Sequence, residues 1–252
     1  MTTPRTPATI IGGPGSPYVR KVLAVCEMKG VPYRLDPIVP FFGDDEFSAL
    51  SPLRRIPVYR NGKVTLCDST VICEYLEDRH PSPPVYPREP ADRARARWLE
   101  EFADTRMGEV IIWRLFNQVA INPHVFGVPT DDAVLQRARD VEVPSVLDYL
   151  ESQLPEQAFL FGEIGAADIA IAAFFRNAAF ARYRVDARCW PRTAAFVERA
   201  LGHDCLKRLV PFEDASIRVP PRAQRAALAK IGAPLTAETF AGDDVRRGIM
   251  ST

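Results

Sequence analysis

Along the first eighty residues, short β-branched runs alternate with stretches whose apolar positions recur at helical spacing, which is the pattern of an α/β unit. Thr9-Ile10-Ile11 is strand-like and stops at Gly12-Gly13-Pro14-Gly15. From Pro17 to Lys29 the apolar residues Val19, Val22, Leu23 and Cys26 share one helical face, and Gly30 closes that helix. Residues 32–35 read as a second strand. Val58-Tyr59 and Val64-Thr65-Leu66 flank Asn61-Gly62, a strong hairpin signal, and Ser69 to Arg79 returns to helical period through Val71, Ile72, Tyr75 and Leu76. The expected order is β-α-β, an irregular stretch, then β-β-α.

Residues 80–90 break the pattern with five prolines (Pro81, Pro83, Pro84, Pro87, Pro90), which exclude both helix and interior strand and place a domain boundary there. Beyond them the periodicity is helical, over roughly 91–119, 131–154, 166–183 and 190–201. The expected division is a first domain at 1–82, an all-helical domain at 91–212 and an appended arm at 213–252. Within that arm, residues 222–231 are amphipathic, with Ala226, Ala227, Leu228 and Ile231 on one side; they suit a cover for a pocket, a contact with a neighbouring subunit, or a free tail.

Composition changes this picture little. The 252 residues, 47% hydrophobic and 25% charged, are enough to bury a core. Lys and Arg balance Asp and Glu at 32 each, so no broad basic field favours nucleic acid or a membrane surface as partner. Met-Thr-Thr-Pro-Arg-Thr-Pro lacks the basic start and apolar run of a secretory signal, and a cytoplasmic protein is expected. Cys26, Cys67, Cys73, Cys189 and Cys205 form no Cys-x-x-Cys pair and suggest no disulfide framework. His80, His124 and His203 have no metal-ligand spacing, and the His203–Cys205 pair lacks further ligands, so no metal is expected.

Three motifs carry candidate chemistry. In Gly12-Gly13-Pro14-Gly15-Ser16-Pro17-Tyr18, Ser16 is placed as N-cap and Pro17 as first helical residue, which alone makes a good helix start. A hydroxyl at the positive end of a helix also stabilises a bound anion such as a thiolate. In Arg54-Arg55-Ile56-Pro57-Val58, proline stands just before a strand; an ordinary trans bond is the base-rate expectation, and a cis bond would turn the backbone of Ile56 toward a ligand. Asp68-Ser69-Thr70 opens a helix: as a plain cap, or as a site where backbone N–H groups meet a carboxylate and Asp68 meets an amine, the two ends of an α-amino acid.

In this order and spacing the motifs resemble the cytosolic glutathione transferase family, in its serine-type form, here as a bacterial-like member with a C-terminal extension. The resemblance implies a thioredoxin-like α/β N-terminal domain, an all-α helical-bundle C-terminal domain, and glutathione as co-substrate. It implies that Ser16 stabilises the glutathione thiolate, that Arg55 meets the glycine carboxylate, that Ile56 pairs with the cysteinyl unit, that Pro57 is cis, and that Asp68 and Ser69 hold the γ-glutamyl end. A homodimer is implied as well. Phe161-Gly162-Glu163-Ile164-Gly165-Ala166-Ala167-Asp168 looks like the family's buried capping segment, with Asp168 structural; Gly165 departs from the usual Ser or Thr, leaving the reciprocal capping box incomplete. Asp44-Asp45-Glu46 also departs, being acidic where many relatives offer a basic residue to the tripeptide; Arg54 or Arg55 is the expected compensation.

The expected chemistry is attack by the activated thiolate on an apolar electrophile. Tyr18, Met107 and Ile111, with Val110, Trp113, Leu115 and Phe116, are the candidate wall of its pocket, although for at least half of that stripe ordinary bundle core is the stronger reading. A glutathione-dependent oxidoreductase needs an attacking cysteine, which position 16 does not supply. Ether cleavage or peroxide reduction by the same thiolate, and a non-catalytic binding module on the same fold, remain as alternatives.

Overall fold

The computed structural model describes residues 6–248, and the chain forms two compact units. One comprises the residues up to Pro83 together with those from Arg208 onward; the other is Pro84–Lys207.

In the first unit, β1 (Ala8–Ile11), β2 (Tyr33–Asp36), β3 (Val58–Asn61) and β4 (Val64–Cys67) form one sheet in the order β2-β1-β3-β4. β1 runs parallel to β2 and antiparallel to β3, and β3 and β4 make the hairpin. α1 (Pro17–Lys29) starts at Ser16 and ends at Gly30, whose left-handed backbone returns its N–H to Cys26 and Glu27. α1 packs against α3 (Ser69–Arg79). Ile11, Ile38, Phe47 and Val58 form a buried cluster joined by Leu50, Ile56, Cys67 and, from the end of the chain, Phe240.

The stretch expected to be irregular contains a further helix, α2 (Asp45–Leu50). Asp44 caps it by accepting from Phe47 N at 2.7 Å, and Asp45 and Glu46 occupy the first turn, where negative charge suits the helix dipole. Buried Lys29 ends α1: its Nζ donates to Glu77 Oε2 and His80 O, both at 2.7 Å, and to Pro83 O at 2.8 Å. The ammonium is thus paired and fully surrounded by acceptors, as a buried cation must be.

The C-terminal segment belongs to this unit. α10 (Val210–Ile217) carries Glu213, whose carboxylate accepts from the buried Arg20 Nε at 2.6 Å. α11 (Gln224–Lys230) follows, inside the stretch whose pattern was amphipathic. The chain then bridges the exposed edge of β2, with Leu35 N donating to Pro234 O at 2.7 Å and Thr236 N to Leu35 O at 3.1 Å. That pairing satisfies part of an edge that would otherwise be open.

The second unit is helical. α4 (Pro90–Phe102) continues into the helical stretch Ala103–Phe126, followed by α5 (Asp132–Arg137), α6 (Val143–Gln153), α7 (Ala166–Phe180), α8 (Pro191–Gly202) and α9 (Asp204–Lys207). α7 is apolar nearly all round and is the buried centre, packed on α4, on Ala103–Phe126 and on α8. Asp168 in its first turn accepts from Leu160 N at 3.0 Å and Gly165 N at 2.9 Å. Burial pushes its carboxyl up to about 6, against the pull of those backbone donors. Only half of a capping box is therefore present, since glycine has no side chain to return the bond. The reason is steric: a Cβ on Gly165 would stand 2.8 Å from the carbonyl oxygen of Val85, which also accepts from Ala166 N. Among the described residues no helix is long and apolar enough to cross a membrane.

Gly165→Ser completes the capping box on paper, yet it should destabilise the protein. A serine cap gains only a few tenths of a kcal/mol over glycine, whereas forcing a Cβ against fixed backbone costs about 1–3 kcal/mol. Thermal unfolding should show a midpoint several degrees lower than wild type; a higher midpoint would show that the backbone at Val85 gives way.

Candidate functional site

The sheet register brings the three motifs together. Ile11 pairs with Val58, and Val58 pairs with Cys67, so Gly12, Pro57 and Asp68 emerge side by side at one end of the sheet. β2 ends there too, with Asp36 beside Ile11. Gly12 has φ of 142°, and a Cβ there would lie 2.6 Å from Val19 and 2.8 Å from Ile56; only glycine lets the turn before Ser16 pass between α1 and the Ile56 side chain. The turn is fixed from outside by Gly12 N donating to Asp36 O at 2.8 Å and Gly13 N to Ile38 O at 2.7 Å.

Ser16 is half-buried at the N-terminus of α1, where its Oγ accepts from Val19 N at 3.4 Å. That cap is long, and it uses an oxygen lone pair while leaving the hydroxyl proton for another acceptor. The Ile56–Pro57 peptide bond is cis. Arg55 is exposed, with its N–H on Ser51 Oγ at 3.0 Å. Asp68, also exposed, caps α3 by accepting from Thr70 N at 2.9 Å and Val71 N at 3.2 Å. Its backbone sits at φ 76° and ψ 131°, a region that a non-glycine residue occupies only when its surroundings enforce it. Ser69, next in line, is buried. Tyr18 lies half-buried on α1. Met107 and Ile111 belong to the second unit, where both are wholly buried, as are Val110 and Leu115; Trp113 is half-buried.

Several polar residues around the site carried no sequence signal. Lys21, buried on α1, donates to Thr70 Oγ1 at 2.8 Å and so ties the third motif to the first helix. Arg20, one turn beyond Ser16, is buried with Glu213 and reaches the carbonyl of Pro14 at 3.4 Å. The acidic stretch also differs from its sequence reading. Asp44 is spent as the α2 cap, and Asp45 pairs with Arg246 of the C-terminal segment, which holds its carboxyl below the usual range. Arg54 braces the loop, donating to Gly43 O at 2.9 Å, Pro40 O at 3.2 Å and Ser48 Oγ. Of the two arginines expected to compensate, Arg55 is the exposed one.

Cys67 adjoins this cluster, on β4 just before Asp68, while the other cysteines lie on α1, on α3 and in the second unit. Cys26 is wholly buried in α1, and burial pushes its thiol up to about 12, with Glu27 adding to the effect. Burial also raises the Cys67 thiol, on β4. Cys189 is exposed, and Cys205 Sγ lies 3.1 Å from His203 Nδ1. Brief iodoacetamide treatment of the folded protein near neutral pH should therefore label Cys189 and leave Cys26 unmodified, because the thiolate is the reacting form. Peptide mass spectrometry checks this, and early labelling of Cys26 would show that α1 opens readily.

Residues 10–84 match the family model of the glutathione S-transferase N-terminal domain. Among curated proteins, a probable glutathione S-transferase of Glycine max is 27% identical over 175 residues, covering 68% of this chain and 71% of the relative. The uncharacterized GST-like protein YibF of Escherichia coli (strain K12) is 25% identical over 208 residues, covering 80% of this chain and 98% of the relative. Among solved structures, a glutathione S-transferase from Rhodospirillum rubrum F11 superposes with a TM-score of 0.76 at 22% identity, over 87% of this chain and 99% of that one; at this identity it shows the fold.

Proposed function

On the premise that this fold and these matches support a place in the glutathione transferase family, we propose that the protein is a glutathione transferase in which Ser16 activates the glutathione thiolate for attack on an apolar electrophile. The observation that carries the proposal is the convergence at one sheet end of the turn that leads into Ser16, of Ile56-Pro57 and of Asp68-Ser69, with an unusual backbone at Asp68. Support for thiolate rather than disulfide chemistry comes from position 16 being serine and from Cys26 being buried and held as a thiol.

In this reading Arg55 takes the glycine carboxylate, the Ile56 backbone takes the cysteinyl unit, and Asp68 with Ser69 takes the γ-glutamyl end. A free thiol near pKa 8.5 is a few per cent ionised at neutral pH. Lowering it by about two units corresponds to ~2.7 kcal/mol. One charge-assisted hydrogen bond from the Ser16 hydroxyl, worth about 1.5–3 kcal/mol, together with the N-terminal field of α1, worth about 0.3–1 kcal/mol, reaches that figure. No proton transfer by Ser16 is needed. Tyr18 is proposed for the electrophile side, whereas Met107 and Ile111, wholly buried in the second unit, belong to its core; the family resemblance extends the proposal to a cytoplasmic homodimer that needs no metal.

Ser16→Ala should lower kcat for conjugation by about 10- to 100-fold, the hydrogen-bond range above, while changing glutathione affinity far less. The pH at which turnover reaches half its maximum should move up toward the free-thiol value. Stopped-flow rates against pH with a generic aryl halide measure both, and an unchanged profile would reduce Ser16 to a helix cap. Asp68→Ala should behave oppositely, weakening glutathione binding by about 10-fold or more with a smaller effect on kcat. Titration calorimetry decides it, since unchanged affinity would place the amine elsewhere.

A further inference from the structure

The C-terminal segment is clasped to the first unit through one buried carboxylate. Asp36, the last residue of β2, is wholly buried, and among the described residues its side chain accepts its hydrogen bonds from that segment: Arg225 Nη1 at 3.0 Å and Thr239 Oγ1 at 2.7 Å on Oδ1, and Phe240 N at 2.8 Å on Oδ2. Burial raises this carboxyl, while those three donors pull it the other way. Beyond the clasp, the chain follows the loop that leads into α2. Asp44 N donates to Phe240 O at 2.9 Å, Gly242 N to Phe42 O, and Arg246 N to Phe41 O at 2.7 Å. Arg246 is thereby delivered to Asp45, and Gly248, two residues on, comes alongside the carbonyls of Leu53 and Arg54.

From this we infer that the C-terminal segment completes the peptide-binding face, with Arg246 as a positioning residue that cancels the charge of Asp45 at the start of α2, on the stretch of chain that leads to Arg55, the arginine proposed to take the glycine carboxylate. The inference rests on the glutathione reading above and goes beyond it by assigning a role in substrate affinity to a segment outside the two expected domains. The chemistry is simple. Glutathione brings two carboxylates to a face whose β2–α2 loop is acidic, and an uncompensated Asp45 would repel the nearer one. Arg54 also acts on Asp45 through its charge, but its guanidinium is held by the neutral acceptors Pro40 O, Gly43 O and Ser48 Oγ, so that Arg246 is the direct partner of Asp45. Asp44 is neutralised in part by the α2 N–H it caps. Asp45 is highly exposed, and its partner Arg246 is held near it by the tether that the clasp supplies.

The experiment is calorimetric titration of the full-length protein with glutathione, for wild type, Arg246→Ala, Asp45→Asn and the double variant, at low and high salt. A parallel series uses the glutathione ester blocked at the glycine carboxylate. Arg246→Ala should weaken glutathione binding about three- to fivefold at low salt, the upper range for an exposed charge pair, and less at high salt. Asp45→Asn should bind at least as tightly as wild type, and the double variant should return to within about twofold of it. The blocked ester should be nearly indifferent to Arg246→Ala. Affinity unchanged in Arg246→Ala, or a loss that persists in the double variant and with the ester, would overturn the inference while leaving the glutathione reading intact. Absence of binding by the wild type itself would overturn both.

Discussion

The pairing of Ile11 between Asp36 and Val58 is the constraint on which the candidate site depends. A strand alternates its side chains between faces, so a slip of one residue would move Ile11 and Val58 out of the buried cluster with Phe47 and Ile38. The apolar pattern therefore fixes the register, and the register fixes which backbone groups leave the sheet at the same place. Gly12, Pro57 and Asp68 are neighbours because each follows a strand residue locked into that ladder. Polar residues of the site are placed by hydrophobic burial one residue away.

The buried charges form a second layer of specification. Arg20 with Glu213, Lys29 with Glu77, and Asp36 with Arg225 each join α1, α3 or β2 to a part of the chain far away in sequence. Such pairs contribute little net stability compared with apolar residues of the same volume, but losing one partner strands the other at a cost of several kcal/mol. Their effect is to make arrangements in which the C-terminal segment lies elsewhere costly. Two of the three pairs, those of Arg20 and Asp36, take their partner from residues beyond 207, which is why the segment folds as part of the first unit.

Much of this was legible in the sequence, for identifiable reasons. The strands, α1, α3 and the helical second half follow from apolar period and from Gly, Pro and cap residues at their ends, all of which are local signals. The three site motifs were legible because each punctuates an element boundary. α2 was missed although Asp44-Asp45-Glu46 is a cap followed by an acidic first turn; reading those residues only as charge near a ligand hid their local role. The docking of the C-terminal segment was not legible at all. It depends on Asp36 meeting Arg225 and Thr239 across some two hundred residues, and no local period records a long-range hydrogen bond. Gly165 lay between these extremes: the missing hydroxyl was visible, but its cause, the carbonyl of Val85, is a contact made only in the folded bundle.

Ser16 shows why a structural and a chemical reading of one residue need not compete. As N-cap its oxygen accepts a hydrogen bond; as thiolate stabiliser its proton donates one. The two uses draw on different parts of the same hydroxyl, and the helix N-terminus that requires the cap is also the source of the positive field that favours an anion. The cap distance of 3.4 Å is at the weak end, so little of the stability of α1 rests on it. Pro17 at the first helical position and the Arg20 N–H on the Ser16 carbonyl already define where the helix begins. A serine whose oxygen contributes little to the helix it caps still has its proton to give, so the cap does not weigh against the role proposed for that proton.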